Sequence, residues 1–210
     1  MTARNEVALR IRGLYGLADA SAAHDGDPIA LGAHMLEGGC RLLQLRCKGW
    51  SSGEVLRAGH ALARRCRAVG ATFVVNDLPE VAVAVNADGV HVGQTDGASA
   101  AIRAVIGEGR ILGRSTNDPG AVPAAVAKAD YVAFGPMYDT VNLSRPKAVQ
   151  GPALLAQIRA SVAGMPLVAI GGITLGRLPE VRAAGADAWA VIGAIAGAED
   201  PVAATRALLP

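Results

Sequence analysis

Short apolar runs rich in β-branched residues alternate along the chain with Ala-rich segments whose apolar positions have helical spacing. Several runs, such as Phe73-Val74-Val75, are apolar throughout and do not alternate with polar residues. That pattern is typical of parallel strands covered on both faces. The predicted strands are residues 14–18, 42–46, 72–76, 89–92, 111–115, 131–134, 167–170 and 188–192.

A segment with the helical pattern follows each predicted strand. Asp27-Pro28, Asp118-Pro119 and Asp200-Pro201 each place a capping side chain before a proline at the first helical position. The predicted helices are residues 28–36, 53–69, 79–85, 98–106, 119–127, 152–162, 175–184 and 201–209. Eight such units predict an α/β fold, with residues 1–210 forming a single (β/α)8 TIM barrel domain. A doubly wound open sheet is the alternative, but the sequence has neither GxGxxG after its first strand nor GxxxxGK[ST].

Composition narrows the classes of partner. The net charge is +2, the basic residues are scattered, and aromatic residues make up 3% of the chain, so we expect no nucleic-acid partner. Three cysteines form no CxxC pair, and we identify neither a signal peptide nor an apolar run of the roughly 18–20 residues that a membrane span requires. We therefore expect a cytoplasmic protein with no membrane partner.

Polar residues at the ends of the predicted strands are the candidates for chemistry, since the reacting groups of such barrels lie there. Gln44, Arg46 and Lys48 share one strand parity at the end of the second strand. Two neighbouring cations repel, so a ligand with several negative charges would relieve the site. The alternative is an Arg and a Lys with solvated head groups.

Two carboxylates follow the next two strands. Asp77 comes directly after the third strand, beside Asn76, and Asp96 follows the fourth. Carboxylates from consecutive strand ends can hold one Mg²⁺, whose other ligands are water and phosphate oxygens. Each aspartate could instead cap the helix that follows it. His91 lacks a partner at metal-ligand spacing and is interpreted as a packed strand residue.

The remaining strand ends suggest a second pocket for an anionic ligand. Ser115 could donate a hydrogen bond to a phosphate, or could be a turn hydroxyl. Gly171-Gly172 and Gly193 end the last two strands, where barrels bind phosphate monoesters through backbone N–H groups. Cys47 is expected to pack outside, away from the neighbouring cations. Because no nucleophile with an adjacent base is visible, the pattern favours electrostatic over covalent catalysis.

These residues resemble the thiamine phosphate synthases, also called thiamine-phosphate pyrophosphorylases, from Leu14 to Ile195. The motifs that carry the resemblance are Gln44-Leu45-Arg46-Cys47-Lys48, Val75-Asn76-Asp77, residues 87–96 (Ala-Asp-Gly-Val-His-Val-Gly-Gln-Thr-Asp), residues 135–140 (Gly-Pro-Met-Tyr-Asp-Thr) and residues 169–173 (Ala-Ile-Gly-Gly-Ile). The family is a (β/α)8 barrel. Its members join 4-amino-2-methyl-5-hydroxymethylpyrimidine diphosphate to a thiazole phosphate and release diphosphate. Diphosphate is thought to leave first, after which the thiazole nitrogen captures the pyrimidine cation.

The resemblance also implies a role for each matching residue. Gln44, Arg46, Lys48 and Asn76 would bind the pyrimidine diphosphate, and Arg46, Lys48 and Ser115 would assist its departure. Asp77 and Asp96 would hold Mg²⁺. The thiazole phosphate would be bound by Thr140, Asn142, Gly172, Ile192 and Gly193.

Several positions depart from the family pattern. The loop after Gly-Pro usually reads Thr-x-Thr-Lys, whereas here it reads Thr140-Val141-Asn142-Leu143 and lacks the lysine expected to touch diphosphate. Arg145 or Lys147 could replace that lysine. The other departures are Leu78 for Arg, Gly193 for Ser, Asn117 for His and Cys47 for Glu.

Two alternative functions stay open because of these departures. The related thiazole tautomerases act on thiazole phosphate alone, but they tend to lose the magnesium residues and carry a His where Pro136 stands. A catalytically idle barrel that binds a phosphometabolite is the other alternative. The retained Asn76, Asp77 and Asp96 favour the synthase. We also expect that two copies could pair as a homodimer.

Overall fold

Eight parallel strands close into a barrel in the computed structural model, which describes residues 3–141, 148–162 and 164–210. Each strand pairs with the next in chain order, and β8 pairs with β1. The strands are β1 Gly13–Asp19, β2 Leu42–Arg46, β3 Thr72–Asn76, β4 Gly89–Val92, β5 Ile111–Thr116, β6 Tyr131–Phe134, β7 Leu167–Ile170 and β8 Ala188–Val191. The predicted (β/α)8 barrel is confirmed, and because all strands are parallel, their carboxyl ends meet at one mouth.

Helices surround the barrel. They are α1 Ala3–Arg10, α2 Pro28–Glu37, α3 Ser52–Ala68, α4 Pro79–Ala84, α5 Ser99–Ile106, α6 Val122–Val126, α7 Gly151–Ser161, α8 Leu178–Ala183, α9 Gly193–Ala196 and α10 Pro201–Ala207. Short 3-10 turns cover His24–Gly26, Pro119–Ala121 and Leu175–Arg177. None of the helices in the described ranges is long and apolar enough to cross a membrane.

Two predicted helices begin three residues later than expected, and two observed helices were not predicted. Helices α6 and α8 each follow a 3-10 turn and carry a proline, Pro123 or Pro179, in their first turn. Proline has no N–H to donate to a preceding turn, so the α-helical bonding pattern begins near it. Helices α1 and α9 are the unpredicted ones.

The predicted aspartate caps are present at all three prolines. Asp27 accepts from the N–H groups of Ile29 and Ala30 at 2.8 and 3.1 Å. Asp118 and Asp200 accept one backbone N–H each, at 2.9 Å in both cases. These bonds satisfy N–H groups that would otherwise lack partners at the helix starts.

The apolar core forms two layers, one on each side of the barrel wall. The outer layer lies between the strands and the helices. The inner layer fills the barrel and includes Tyr15, Leu42, Ile111 and Tyr131. Ile11, directly after α1, joins this inner layer, so α1 covers the amino-terminal end of the barrel and leaves the opposite end for ligands.

Candidate active site at the carboxyl ends of the strands

The carboxyl groups of Asp77 and Asp96 lie close enough together at the barrel mouth to shift each other's pKa. Lys48, from the loop after β2, forms an ion pair with Asp77. Asp77 has a φ of +65° and donates its backbone N–H to the carbonyl of His91 on β4 at 2.8 Å. The backbone turn after β3 therefore directs the Asp77 carboxyl towards the loop after β4, where Asp96 lies.

The environment separates the pKa values of the two carboxyls. Burial raises the pKa of Asp77, and contact with Asp96 adds to the rise while Lys48 opposes it. Burial also acts to raise the pKa of Asp96, but the N–H of Gly93, the contact with Asp77 and the nearby cations outweigh it, so the pKa is lowered. The protein thus concentrates two acidic oxygen donors where a cation would relieve their repulsion.

Neither aspartate caps a helix, so the alternative interpretation of both is wrong. The residues before α4 and α5 are Leu78 and Ala98, and neither makes a side-chain capping bond. Asp96 instead accepts the N–H of Gly93 at 2.7 Å, within its own loop.

Arg114 fixes the loop that carries Asp96. Its guanidinium donates to the carbonyls of Gly93 and Gly97, at 2.9 and 3.1 Å, and to the hydroxyl of Ser99 at 2.7 Å. The loop's backbone is therefore held by charge-assisted bonds from β5.

Arg46 lies at the end of β2 and is paired with Asp19, the last residue of β1. Asp19 is fully buried and also accepts from the N–H and hydroxyl of Ser21, at 2.9 and 2.7 Å. Asp19 was not predicted to belong to the site. It follows directly after the predicted first strand, so the search for polar strand ends could have found it.

Gln44 and Ser115 both bond to side chains inside the barrel. Gln44 donates from Nε2 to the hydroxyl of Tyr15 at 2.8 Å. The Oγ of Ser115 is 2.6 Å from Nε2 of His91, whose Nδ1 is 2.8 Å from the hydroxyl of Tyr131. His91 is buried, and burial lowers its pKa to about 4, so the ring is neutral near pH 7. His91 is thus a packed strand residue, as expected.

Cys47 packs against the outer apolar layer, as predicted. Burial and the charge of Asp19 raise the pKa of its thiol to about 12, although Arg46 opposes the rise. The thiol is therefore protonated at neutral pH and is not an activated nucleophile.

The glycines after β7 lie against the loop after β6. Gly172 has a φ of +65°, and a Cβ there would meet the carbonyl oxygen of Asp139 at 2.5 Å. A side chain would be strained and would clash, so the bare backbone is required at this point. Thr140 lies in the same loop after β6, and Ile192 and Gly193 join β8 to α9. Asn142, Arg145 and Lys147 lie outside the described residues.

Arg177 is a cation beside Gly172 that the sequence pattern did not single out. It donates to the carbonyl of Gly172 at 2.7 Å, and its guanidinium stacks over the ring of Tyr138 at 4.4 Å. The hydroxyl of Tyr138 in turn donates to Glu180 at 2.8 Å. The chain therefore holds a positive charge next to the glycine predicted to contact a phosphate.

The mouth thus has two parts. The strand ends from β1 to β5 and the loops after them carry the Asp77 and Asp96 carboxylates, the Arg46–Asp19 ion pair, Lys48 and Arg114. The ends of β6 to β8 carry bare backbone and Arg177. In the described part of the chain, no group of three or more His, Cys, Asp or Glu side chains could hold a metal. Two carboxylates without a third protein ligand fit Mg²⁺, which usually keeps waters and substrate phosphate oxygens as its other ligands.

Fold and site together define a barrel with polar and charged groups concentrated at its carboxyl-terminal mouth. Comparison with known proteins makes the assignment specific. Residues 14–195 match the family model described as thiamine monophosphate synthase, and the chain belongs to this family.

Individual relatives agree with that assignment. The chain is 43% identical over 173 residues to thiamine-phosphate synthase of Laribacter hongkongensis, covering 82% of each chain. It is 42% identical over 201 residues to thiamine-phosphate synthase of Chromobacterium violaceum, covering 95% of each. The solved structure of thiamine phosphate pyrophosphorylase from Pyrococcus furiosus superposes with a TM-score of 0.85 at 33% identity, covering 99% of this chain and 96% of that one.

Proposed function

We propose that this protein is a transferase that joins 4-amino-2-methyl-5-hydroxymethylpyrimidine diphosphate to thiazole phosphate. The products are thiamine phosphate and diphosphate. Family membership supports the reaction, and the observation that carries it to this chain is the contact of Asp77 with Asp96 beside Lys48. A cytoplasmic location and a homodimer remain part of the proposal.

The residues divide between the two substrates. Gln44, Arg46, Lys48 and Asn76 bind the pyrimidine diphosphate, and Ser115 hydrogen-bonds the departing group. Asp77 and Asp96 would hold Mg²⁺, which supplies positive charge that stabilises the leaving diphosphate. On the other side, backbone at Gly172, Ile192 and Gly193, with Thr140 and Asn142, binds the thiazole phosphate.

The placement of positive charge explains how the protein assists the departure of diphosphate without a nucleophile. Lys48 is 48% exposed and can turn from Asp77 towards a phosphate oxygen, whereas Arg46 is only 15% exposed and is fixed by Asp19. Fixed positive charge next to developing negative charge lowers the barrier because no reorganisation is needed during the reaction.

Asp77→Asn and Asp96→Asn test the carboxylate pair. Each change keeps the side-chain shape but removes a charged oxygen ligand, so we expect kcat to fall at least about 100-fold at fixed Mg²⁺. Thiamine phosphate formation from both substrates is the measurement. Asp118→Asn is the matched control, because asparagine preserves its helix cap and the residue lies outside the pair.

Full turnover in both pair variants would contradict the metal assignment. If the wild-type protein forms no thiamine phosphate but isomerises a thiazole carboxylate phosphate, it is a tautomerase. If it binds both substrates without either reaction, it is a binding protein.

A further inference from the structure

Five polar side chains from five strands form one hydrogen-bonded line across the barrel interior. This interior polar chain consists of Gln44 on β2, Tyr15 on β1, Tyr131 on β6, His91 on β4 and Ser115 on β5. Its four links measure 2.8, 2.9, 2.8 and 2.6 Å in that order. Ser115 is the half-buried member of the chain, and the other four are buried.

The protonation states of the members are set by burial. Tyr15, Tyr131 and His91 are all buried, and burial disfavours a charged phenolate or a charged imidazole. Near pH 7 each tyrosine therefore has one hydroxyl proton, and the imidazole has a proton on one of its two nitrogens.

The amide of Gln44 determines the direction of every link. Nε2 of Gln44 can only donate, so the Tyr15 oxygen accepts and its own proton must go to Tyr131. Tyr131 then donates to Nδ1 of His91, which leaves the ring proton on Nε2. The opposite order would leave the Tyr15 proton buried without an acceptor in the chain, which is costly.

The final link decides what Ser115 can do. When His91 donates from Nε2 to Oγ, the Ser115 proton is released to point elsewhere. In the opposite order, Ser115 would donate to His91 and present only lone pairs to a ligand. A phosphate oxygen is an acceptor and would be repelled by those lone pairs.

We propose that the interior polar chain fixes Ser115 as a hydrogen-bond donor towards the departing diphosphate, with His91, Tyr131 and Tyr15 as positioning residues. This inference rests on the proposed function for the identity of the acceptor. The His91 ring is also stacked on Tyr131, with centroids 5.4 Å apart and planes at 22°, which restricts its rotation.

Nitrogen-15 NMR of the histidine-labelled wild-type protein, without substrate or metal at pH 7, tests the direction without any substitution. We expect His91 to carry its proton on Nε2. A proton on Nδ1 would overturn the inference, because His91 would then donate to Tyr131 and Ser115 would donate to His91.

Tyr131→Phe tests whether the interior polar chain affects catalysis through Ser115. Removing the hydroxyl leaves Nδ1 of His91 without its donor, so we expect a mixture of tautomers and a fall in kcat of about tenfold or more, larger than any change in KM. In a Ser115→Ala background, the same substitution should cause no further fall. Tyr15→Phe, one link further away, should change kcat in the same direction.

Thr205→Val is the matched control, because it also deletes one buried hydroxyl. That hydroxyl lies outside the barrel interior and donates to the carbonyl of Pro201 at 2.7 Å. It should keep the wild-type tautomer and kcat. A further fall for Tyr131→Phe in the Ser115→Ala background would overturn the positioning role. If the wild-type protein turns over its substrates but His91 is the Nδ1 tautomer, this inference alone is refuted. If His91 is the Nε2 tautomer but no thiamine phosphate forms, the proposed function is refuted and the direction of the interior polar chain stands.

Discussion

Arg46 and Lys48 each face a carboxylate at the barrel mouth, and the two pairs differ in burial. The side chains of Arg46 and Asp19 are 15% and 0% exposed, against 48% and 21% for Lys48 and Asp77. Deleting Arg46 would leave a buried carboxylate without its counter-charge, which is strongly destabilising. Substitution of Lys48 therefore reports on ligand binding more directly than substitution of Arg46.

Arg177→Ala tests the phosphate side of the site at the same scale. The guanidinium lies beside Gly172 and is oriented by Tyr138, so its loss should remove positive charge from the phosphate pocket. We expect KM for the thiazole phosphate to rise about tenfold, with little change in KM for the pyrimidine diphosphate. Steady-state kinetics with each substrate varied in turn measures both values.

Arg182→Ala is the control for this prediction. The Arg182 guanidinium also lies over an aromatic ring, 5.5 Å from the centroid of Trp189, but it does not contact the glycines after β7. The KM values of Arg182→Ala for both substrates should match those of the wild-type protein. An equal rise for both substrates in Arg177→Ala would argue against a phosphate role for Arg177.

At the scale of elements, the ends of the strands were predictable. Each barrel strand is buried on both faces, so a strand and an apolar run of the sequence cover the same residues. Five of the eight strands begin and end where predicted, whereas α1 and α9 were missed. Half of the eight residues of α1 are polar and its amphipathic pattern is weak, and α9 has only four residues. Sequence periodicity needs several turns to be visible.

The residues of the candidate site also divide into those that the sequence could identify and those that it could not. Asp77, Asp96 and Lys48 were predictable because each follows a recognisable strand within a few residues. Tyr131 could not be identified as a partner of Tyr15, because 116 residues separate them and only barrel closure brings their hydroxyls to 2.9 Å. Arg177 was equally hidden, since its role depends on Tyr138 from another loop.

Gly113→Ala tests the packing of β5 against β6. Gly113 pairs in register with Tyr131, and a Cβ there would lie 2.1 Å from that ring. The ring must move, so we expect a loss of about 2 kcal/mol in the free energy of unfolding and a lower kcat as the Tyr131 hydroxyl shifts. Urea unfolding and turnover measure the two effects.

Gly109→Ala supplies the comparison, because a Cβ at that position would meet nothing within 4 Å. Its free energy of unfolding should lie within about 0.5 kcal/mol of the wild type. Equal stability of the two alanine variants would show that the Tyr131 ring is not confined as described.

At the scale of the whole molecule, the two ends of the barrel use carboxylates differently. At the amino-terminal end, Asp88, Asp130 and Asp187 each accept a backbone N–H at or near the start of a neighbouring strand, at 2.8, 2.7 and 2.7 Å. Each also pairs with an arginine. These aspartates join strands and helices, whereas Asp77 and Asp96 at the other end lie against each other, so stability and function are assigned to opposite ends.

Burial of His91 in the barrel links the stability of the whole molecule to pH. Its pKa is about 4 in the folded protein, against 6.5 for an ordinary histidine, because burial disfavours the charged ring. As pH falls below 6.5, the unfolded chain takes up a proton that the folded chain does not, so stability is lost down to about pH 4. At 1.36 kcal/mol per pH unit, the loss attributable to His91 is about 2 kcal/mol between pH 6.5 and 5.

Urea unfolding of the metal-free protein at pH 7 and pH 5 measures this loss, with His91→Gln as the test variant. Glutamine does not titrate, so His91→Gln should lose about 2 kcal/mol less than the wild type over this interval, while the carboxylates contribute equally to both and cancel. His60→Gln, on the exposed face of α3, should follow the wild type. If wild type and His91→Gln lose stability in parallel, then His91 takes up its proton in the folded barrel, and the neutral ring on which the interior polar chain depends is absent near pH 5.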